Sequence, residues 1–420
     1  MNIFLFTIGS HGDVHPFVGL GLSLRDRGHD VTLITNGHFS GLAAKAGLQF
    51  VELGTDEQFR TLMDDPDLWH PTRGFDAVFM RGVMPSLEQA YQTIADRYVP
   101  EKTVVVASSL GLGARIAQEK FNIPTATVHI QPAVIRTVYD NPKLPGLFMP
   151  RWFPKWFKRK MWQFGDRVLI DRKLAKPINE FRAKVGLTQP VSGILKDWWN
   201  SPQLMLGLWP DWYAPMQPDW PPQLRLVGFP LYDETGIVGI SDDLNQWLGA
   251  GDAPIAFTPG SAMIQGASFF ADSVQACLNL KRRGILLTRH ADQIPKDLPP
   301  SVKHVDYVPF KLLLPRCAAL VHHGGIGTNA QALAAGVPQL ITPMAHDQFD
   351  NAQRIGRLSV GRSINFRRYN ANSATALLSE ILTSPLACKT VARRFEGQMA
   401  LERASDLIEN LYSSQVPVNK

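Results

Sequence analysis

The stretch Ala318-Ala319-Leu320-Val321-His322-His323-Gly324-Gly325-Ile326-Gly327-Thr328 leaves an apolar run, passes a glycine-rich turn and enters an Ala/Leu-rich segment that ends at Gly336-Val337-Pro338. The apolar residues predict a buried strand over Ala318–His322, and the following run predicts a helix that opens at about Thr328. A helix start offers unpaired N–H groups and the positive end of the helix dipole, and glycines let an anion approach the backbone closely. The turn therefore suits a diphosphate, with His323 adding a charge-assisted hydrogen bond of roughly 1.5–3 kcal/mol. A tight turn without a ligand is the plainer reading, but the paired histidines have no evident structural need. Downstream, His346-Asp347-Gln348-Phe349-Asp350-Asn351-Ala352 is a polar cluster after an apolar strand. It suits hydrogen bonding to sugar hydroxyls or, equally, a simple helix cap.

The same alternation extends outward. Ile3–Ile8 is an apolar run closed by Gly9-Ser10, Phe17–Arg27 has helical apolar spacing and stops at Gly28, and Val31–Thr35 reads as the next strand. Leu42–Ala46 (helix), Val104–Ala107 (strand), Leu112–Lys120 (helix) and Thr125–Ile130 (strand) repeat the theme. Strands at Ile255–Phe257, Gly284–Thr288, Ala318–His322 and Gln339–Thr342 resume it. Strands alternating with helices predict parallel sheets with helices on both faces. Two α/β halves are expected, 1–225 and 226–392, then a segment 393–420 with a helix over about Arg393–Tyr412. From 132 to 220 the pattern breaks, and eight of the ten tryptophans fall there among many prolines. That composition predicts a substrate-binding excursion of the first half.

With 420 residues, 45% hydrophobic and 19% charged, the chain has material for about two or three packed domains, which excludes disordered and collagen-like classes. The net charge is +6, but nine Lys/Arg against two Asp between Lys143 and Lys173 contribute +7, leaving the remainder near −1. One basic segment gives little support to nucleic-acid binding. Cys277, Cys317 and Cys388 are scattered and predict neither a disulfide framework nor structural zinc. The start MNIFLFTIGS lacks a basic leader, and no apolar run approaches the roughly 20 residues of a bilayer span. A cytoplasmic protein is expected, with contact at the inner face of the membrane left open.

Taken together, Tyr307-Val308-Pro309, His323–Thr328 and Asp347-Gln348 resemble the nucleotide-sugar signature of family-1 glycosyltransferases, enzymes of the GT-B fold. Gly9-Ser10-His11-Gly12-Asp13-Val14-His15-Pro16 is similar to that family's first loop. Over the whole chain, including Asp65-Pro66-Asp67-Leu68-Trp69 and the tryptophan-rich middle, the sequence resembles the rhamnosyltransferases of rhamnolipid synthesis. The resemblance implies two facing Rossmann-like domains with a cleft between them, the second binding the nucleotide sugar and the first the acceptor. It further implies a C-terminal helix packed back on the first domain. Tyr307 would stack on the base, with the backbone of Val308 at the base edge. Ser261, His323 and the backbone of Gly325, Gly327 and Thr328 would hold the diphosphate, and Asp347 and Gln348 the sugar hydroxyls. Gln331 stands where many UDP-sugar users carry a Glu that accepts from both ribose hydroxyls. An amide accepts less well than a carboxylate, which leans toward a deoxyribose donor such as a dTDP-sugar. No cofactor is implied, and no metal, because no DxD-type carboxylate pair stands directly before the donor motif.

Attack by a hydroxyl on the anomeric carbon needs a group that takes its proton. By the resemblance, Asp13 occupies the position of that base, and His11, two residues earlier, orients it or serves in its place. Asp13 also suits the N-cap of a helix over Val14–Arg27. The implied reaction is an inverting, metal-independent transfer of a hexose, rhamnose from dTDP-L-rhamnose, to the hydroxyl of an apolar acceptor such as a hydroxyalkanoyloxyalkanoate. The alternative is a UDP-sugar enzyme acting on a small hydrophobic natural product or a sterol, and a nucleotide-sugar epimerase is more remote. The segment 151–162 mixes aromatics and cations, as peripheral membrane helices do, or it covers the acceptor cleft with its cations solvated. A dehydrogenase is disfavoured because the first loop lacks GxGxxG and no acidic residue marks the end of a second strand. The absence of GxxxxGK[ST] excludes a P-loop.

Overall fold

The central strands are apolar on both sides. Ile3, Leu5 and Phe6 are buried beside Val104, Val105 and Val106, the pattern of a parallel sheet covered on both faces by helices. The computed structural model describes residues 1–234, 236–261, 263 and 266–413. The first sheet contains β1 (Asn2–Phe6), β2 (Asp30–Thr35), β3 (Gln49–Glu52), β4 (Thr103–Ser108), β5 (Thr125–His129), β6 (Leu204–Gly207) and β7 (Leu224–Leu226). Its spatial order is β3-β2-β1-β4-β5-β6-β7. The second contains β8 (Ile255–Thr258), β9 (Gly284–Leu287), β10 (Val302–Val305), β11 (Ala319–His322), β12 (Gln339–Ile341) and β13 (Gly361–Ser363), ordered β10-β9-β8-β11-β12-β13. Every pairing is parallel; Phe4 lies between Thr32 and Val105, and Val321 between Phe257 and Leu340. Strand order reverses once in each sheet, between β1 and β4 and between β8 and β11. Chains leave neighbouring strands toward opposite faces there, which opens a crevice at the carboxyl ends. The loops Thr7–Ser10 and His323–Gly325 both begin at such a point.

The first helix is His11–Asp26, so it opens before both the Phe17 start that its apolar spacing predicts and the Val14 start expected if Asp13 caps it. Ser10 is its N-cap and Asp13 lies inside the first turn, which corrects the expectation that Asp13 itself caps the helix. The Ser10 backbone N–H donates to Asp13 Oδ2 at 2.8 Å, and the Ser10 hydroxyl does so at 3.2 Å. Polar residues and Pro16 in the opening turns hide the apolar period there. The helix after the glycine turn likewise starts at Ile326, with Gly325 as N-cap, two residues before Thr328.

The tryptophan-rich stretch is more structural than its composition suggests. It supplies β6, and Trp198, Trp199, Trp209 and Trp220 are buried in hydrophobic cores. The bulky residues left facing solvent sit on and around the helix Lys155–Gly165, with Trp152 77% and Trp156 66% exposed. No helix among the described residues is long and apolar enough to cross a membrane. At the other end of the chain, the last helix is Ala400–Ser413, and residues 414–420 of the final segment lie outside the described residues. Ala404, Ile408 and Leu411 join Phe17, Leu20 and Leu24 in the core of the first half. Arg27 pairs with Glu402 and Asp406 at 2.6 Å and with Glu409 at 2.9 Å. The last helix is therefore a structural part of the half that carries the first loop. Ile408→Ala, at a fully buried site, is expected to lower unfolding stability by about 2–5 kcal/mol. Urea denaturation checks this, and a loss below about 1 kcal/mol would show that the helix is only loosely attached.

Candidate active site

The turn after β11 is built around two histidines with different tasks. The His322 Nε2–H donates to Gln339 Oε1 at 3.0 Å, and its Nδ1 accepts from the Gly324 N–H at 3.2 Å. Burial takes this residue down to about 3. It fixes the turn, so the pair does have a structural need on one side. The Gly324 carbonyl accepts from Asn329 Nδ2 and Asn351 Nδ2, both at 2.9 Å, while its φ of +96° suits only glycine. His323 lies against two further glycines: a Cβ on Gly260 or Gly325 would stand 2.9 or 2.5 Å from its ring. Its Nδ1 is buried without a partner among the described residues, and burial lowers the ring to about 4. His323 is therefore neutral at pH 7 in the empty turn, and the charge of a charge-assisted hydrogen bond there would come from the anion that it meets. Gly327 is exposed and Thr328 half-buried at the helix start, Gln331 is buried one turn on, and Ser261 is exposed on the turn after β8.

Asp347 precedes the helix Gln348–Arg357. Asp347 Oδ2 accepts from Asn351 Nδ2 at 2.6 Å, and Asn351 Oδ1 accepts from the Tyr213 hydroxyl of the first half at 2.9 Å. Burial above all raises the Asp347 carboxyl to about 7, and the charge of Asp13 adds to the rise, so the two carboxyls lie within each other's field across the cleft. Gln348 differs from expectation. Its Oε1 already accepts the backbone N–H groups of Met344 (2.7 Å) and Ala345 (3.1 Å), which leaves only its NH2 for a sugar hydroxyl. His346, in the left-handed region at φ 54°, donates from Nε2 to the Leu68 carbonyl at 2.8 Å and so ties this loop to the first half. Arg354 bonds Asp350 at 2.7 Å and reaches Asp140 at 3.3 Å, while the Lys143 N–H donates to Asp350 at 3.1 Å. The tryptophan-rich stretch thus grips the helix that carries Asp347.

In the first loop, burial raises Asp13 to about 6 and outweighs its hydrogen bonds from Ser10. Gly9 at φ +134° makes room for it, because a Cβ there would lie 2.2 Å from Asp13 Oδ2. His11 does not orient Asp13. Residues two apart on a helix face different ways, and no hydrogen bond joins the pair among the described residues. His11 Nε2 instead accepts from Arg289 Nη1 of the second half at 3.0 Å, and its ring meets those of His15, His38 and Phe39 at 5.0–5.8 Å. Burial first, then His15 and Arg289, push it down to about 3. The Tyr307 hydroxyl donates to the Asp233 carbonyl at 2.8 Å, and the Arg289 guanidinium lies 5.0 Å from its ring centre. A base stacked on Tyr307 has to share the ring with Arg289. Val308 is buried.

Several residues of this site escaped the sequence: Arg289, Asn351, Tyr213, and the pairs His38–Asp56 (2.7 Å) and His15–Glu234 (3.2 Å). His15 and Asn351 sit inside motifs already singled out. The others reach the cleft only by folding and leave no local signal.

Comparisons with known proteins agree with this architecture. Residues 3–140 match the glycosyltransferase family 28 N-terminal domain, and residues 283–408 match the C-terminal domain of the erythromycin biosynthesis protein CIII-like group. An O-mycaminosyltylonolide 6-deoxyallosyltransferase from Streptomyces fradiae is 29% identical, covering 96% of this chain and 94% of that protein. A sterol 3-β-glucosyltransferase from Arabidopsis thaliana is 28% identical over 86% of this chain but only 58% of its own length. The glycosyltransferase VinC, solved in complex with dTDP, superposes with a TM-score of 0.68 at 19% identity over 99% of this chain and all of that one, which shows a shared fold. With two parallel-sheet domains and these matches, the chain is a GT-B glycosyltransferase, similar over residues 3–140 to the family-28 N-terminal domain and over residues 283–408 to the CIII-like C-terminal domain.

Proposed function

We propose that the protein moves a 6-deoxyhexose, L-rhamnose from dTDP-L-rhamnose, to the hydroxyl of an apolar acceptor such as a hydroxyalkanoyloxyalkanoate, by inverting displacement without a metal. The observation that carries this reading is the half-buried Asp13 in the field of Asp347, with the His323 turn at the adjoining reversal of strand order. Asp13 takes the acceptor proton, the freed oxygen bonds to C1, and the C1–O bond to the diphosphate breaks with its electron pair leaving on phosphate. His323 and the N–H groups at Ile326–Thr328 meet that charge, which is electrostatic stabilisation by groups already in place. Asp347 and the Gln348 NH2 hold the sugar, Tyr307 and Val308 the base, and Ser261 the diphosphate. The Gln331 amide and the deoxysugar named in the Streptomyces fradiae relative both favour a dTDP-deoxyhexose. The sterol glucosyltransferase relative favours a second reading, a UDP-sugar enzyme acting on a sterol or other small hydrophobic product.

The acceptor is reached at the inner face of a membrane. Arg151, Trp152, Lys155, Trp156, Arg159 and Lys160 are exposed side by side, a mixture that anionic bilayers attract. Lys158 is the exception, buried with its Nζ on Asn141 Oδ1 (2.9 Å) and the Arg151 carbonyl (3.0 Å), and it anchors the segment.

Three measurements test this reading. Asp13→Asn should lower turnover about 10²–10⁴-fold and leave nucleotide affinity within twofold. In the parent enzyme kcat/KM should fall as pH drops through about 6, because a protonated Asp13 accepts nothing. Turnover retained by the variant removes Asp13 from the mechanism. Calorimetric titration should show dTDP binding more tightly than UDP, no effect of magnesium, and about tenfold weaker binding in His323→Ala. A UDP preference would favour the second reading, and binding of NAD alone would overturn both. Finally, vesicles of phosphatidylglycerol should co-sediment the protein at low salt, and raised salt or Trp152→Glu with Trp156→Glu should release it. No co-sedimentation at low salt refutes the membrane contact.

A further inference from the structure

The carboxyl edge of the second sheet brings Arg289 and Tyr307 to one level. Leu287 pairs with Val305 in parallel register, and Arg289 and Tyr307 each stand two residues beyond. The backbone beside Arg289 is fixed. The Thr288 hydroxyl accepts the His290 N–H at 3.1 Å, and the Thr288 carbonyl accepts from His304 Nε2 at 2.8 Å. Tyr307 is fixed as well, since its hydroxyl donates to the Asp233 carbonyl and Asp233 Oδ2 accepts the Lys311 N–H, both at 2.8 Å. The Arg289 side chain is different: it is exposed and lightly held. Among the described residues no carboxylate pairs with it. Glu234 acts on it only at a distance and is itself paired with His15 at 3.2 Å. The partners of the guanidinium are the Tyr307 ring, whose centre is 5.0 Å away, and His11 Nε2 of the first half at 3.0 Å. Both are uncharged at pH 7. Lying between them, the guanidinium covers the side of the Tyr307 ring that looks toward the first half, and a base entering the cleft needs that side.

Resting on the donor site proposed above, we infer that Arg289 is a latch between the halves that the donor nucleotide opens: the base takes the Tyr307 face from the guanidinium, which leaves His11 and pairs with the diphosphate. The exchange favours the cation. A phosphate is charged and accepts two N–H groups of the guanidinium fork, whereas a ring face and a neutral imidazole offer neither charge nor a second oxygen. A base without phosphate removes Arg289 from both partners and supplies none in return. The latch therefore makes Arg289 a specificity-determining residue that favours the nucleoside diphosphate over the nucleoside. It also links the two halves of the site, because release of Arg289 frees the His11 Nε2 lone pair on the acceptor side.

The test uses the full-length parent protein and Arg289→Ala, each with isotope-labelled histidine, and follows titrations with dTDP and thymidine by NMR. UDP and uridine replace these probes if the parent prefers UDP. The His11 signal is assigned from its loss in His11→Gln. Arg289→Ala, at an exposed position, should weaken dTDP about tenfold, the loss of a charge-assisted contact. It should tighten thymidine about threefold, because no side chain then competes for the ring. In the parent, dTDP should move the His11 signal toward the position that Arg289→Ala shows without nucleotide. Equal changes for both probes, or no change for either, mean that Arg289 only shapes the site and overturn the inference. A His11 signal that stays in place while dTDP binds the parent overturns it as well, and leaves the donor reading standing. If the parent binds neither dTDP nor UDP, the donor reading itself falls and takes this inference with it.

Discussion

In a parallel sheet whose strand order reverses, the two chains that leave the central strands diverge to opposite faces, and the carboxyl edge between them stays open. This protein has two such edges, and it places one loop of the candidate site on each. The loop after β1 ends in the helix that carries Asp13, and the loop after β11 ends in the helix whose first N–H groups follow Gly325. Neither position depends on sequence far away. Each is dictated by the reversal and by short turns in which Gly9 and Gly324 adopt backbone conformations closed to other residues. Burial then does the chemical tuning: carboxyls at Asp13 and Asp347 rise, and the rings of His11, His322 and His323 fall.

What turns two edges into one site is a set of contacts across the seam. Tyr213 orients Asn351, which orients Asp347 and also holds the Gly324 carbonyl. Arg289 reaches from the second half to His11, His346 reaches from it to Leu68, and Arg354 reaches to Asp140. Exposed ion pairs contribute little singly. These contacts are different because several are buried or hydrogen-bond a backbone carbonyl, so removing one partner strands the other. The C-terminal helix adds a further link, returning the end of the chain to the core beneath the first loop.

The sequence carried the local devices and missed the ones made by packing. Strand and helix alternation and the glycine turn are legible because each is encoded within about ten residues, and the motifs that contain Asp13 and Asp347 were visible there too. The start of the first helix was misread because Pro16 and polar residues break its apolar period, although Ser10-x-x-Asp13 is a capping pattern. The tryptophans of 132–220 read as a substrate surface because composition does not say which way a side chain faces. Four of the eight are core. Gln348 read as a sugar ligand, and only the fold shows its oxygen bonded to Met344 and Ala345. Arg289 and Tyr213 carry no motif, and their roles exist only once the halves meet.

The electrostatics of the cleft also order the events of the proposed reaction. A carboxyl whose folded-state pKa is raised favours folding least when it is ionised. The penalty is absent below about 4, the unfolded value, and fully present above the folded values of about 6 for Asp13 and about 7 for Asp347. Stability from these two groups therefore declines as pH rises through that window. A donor sugar whose hydroxyls bond Asp347 favours its charged form and lowers its pKa. The charge fixed on Asp347 then acts on Asp13 through the same field that couples them in the empty cleft, raising Asp13 and making it a stronger proton acceptor. The donor in this way prepares the base before the acceptor hydroxyl arrives.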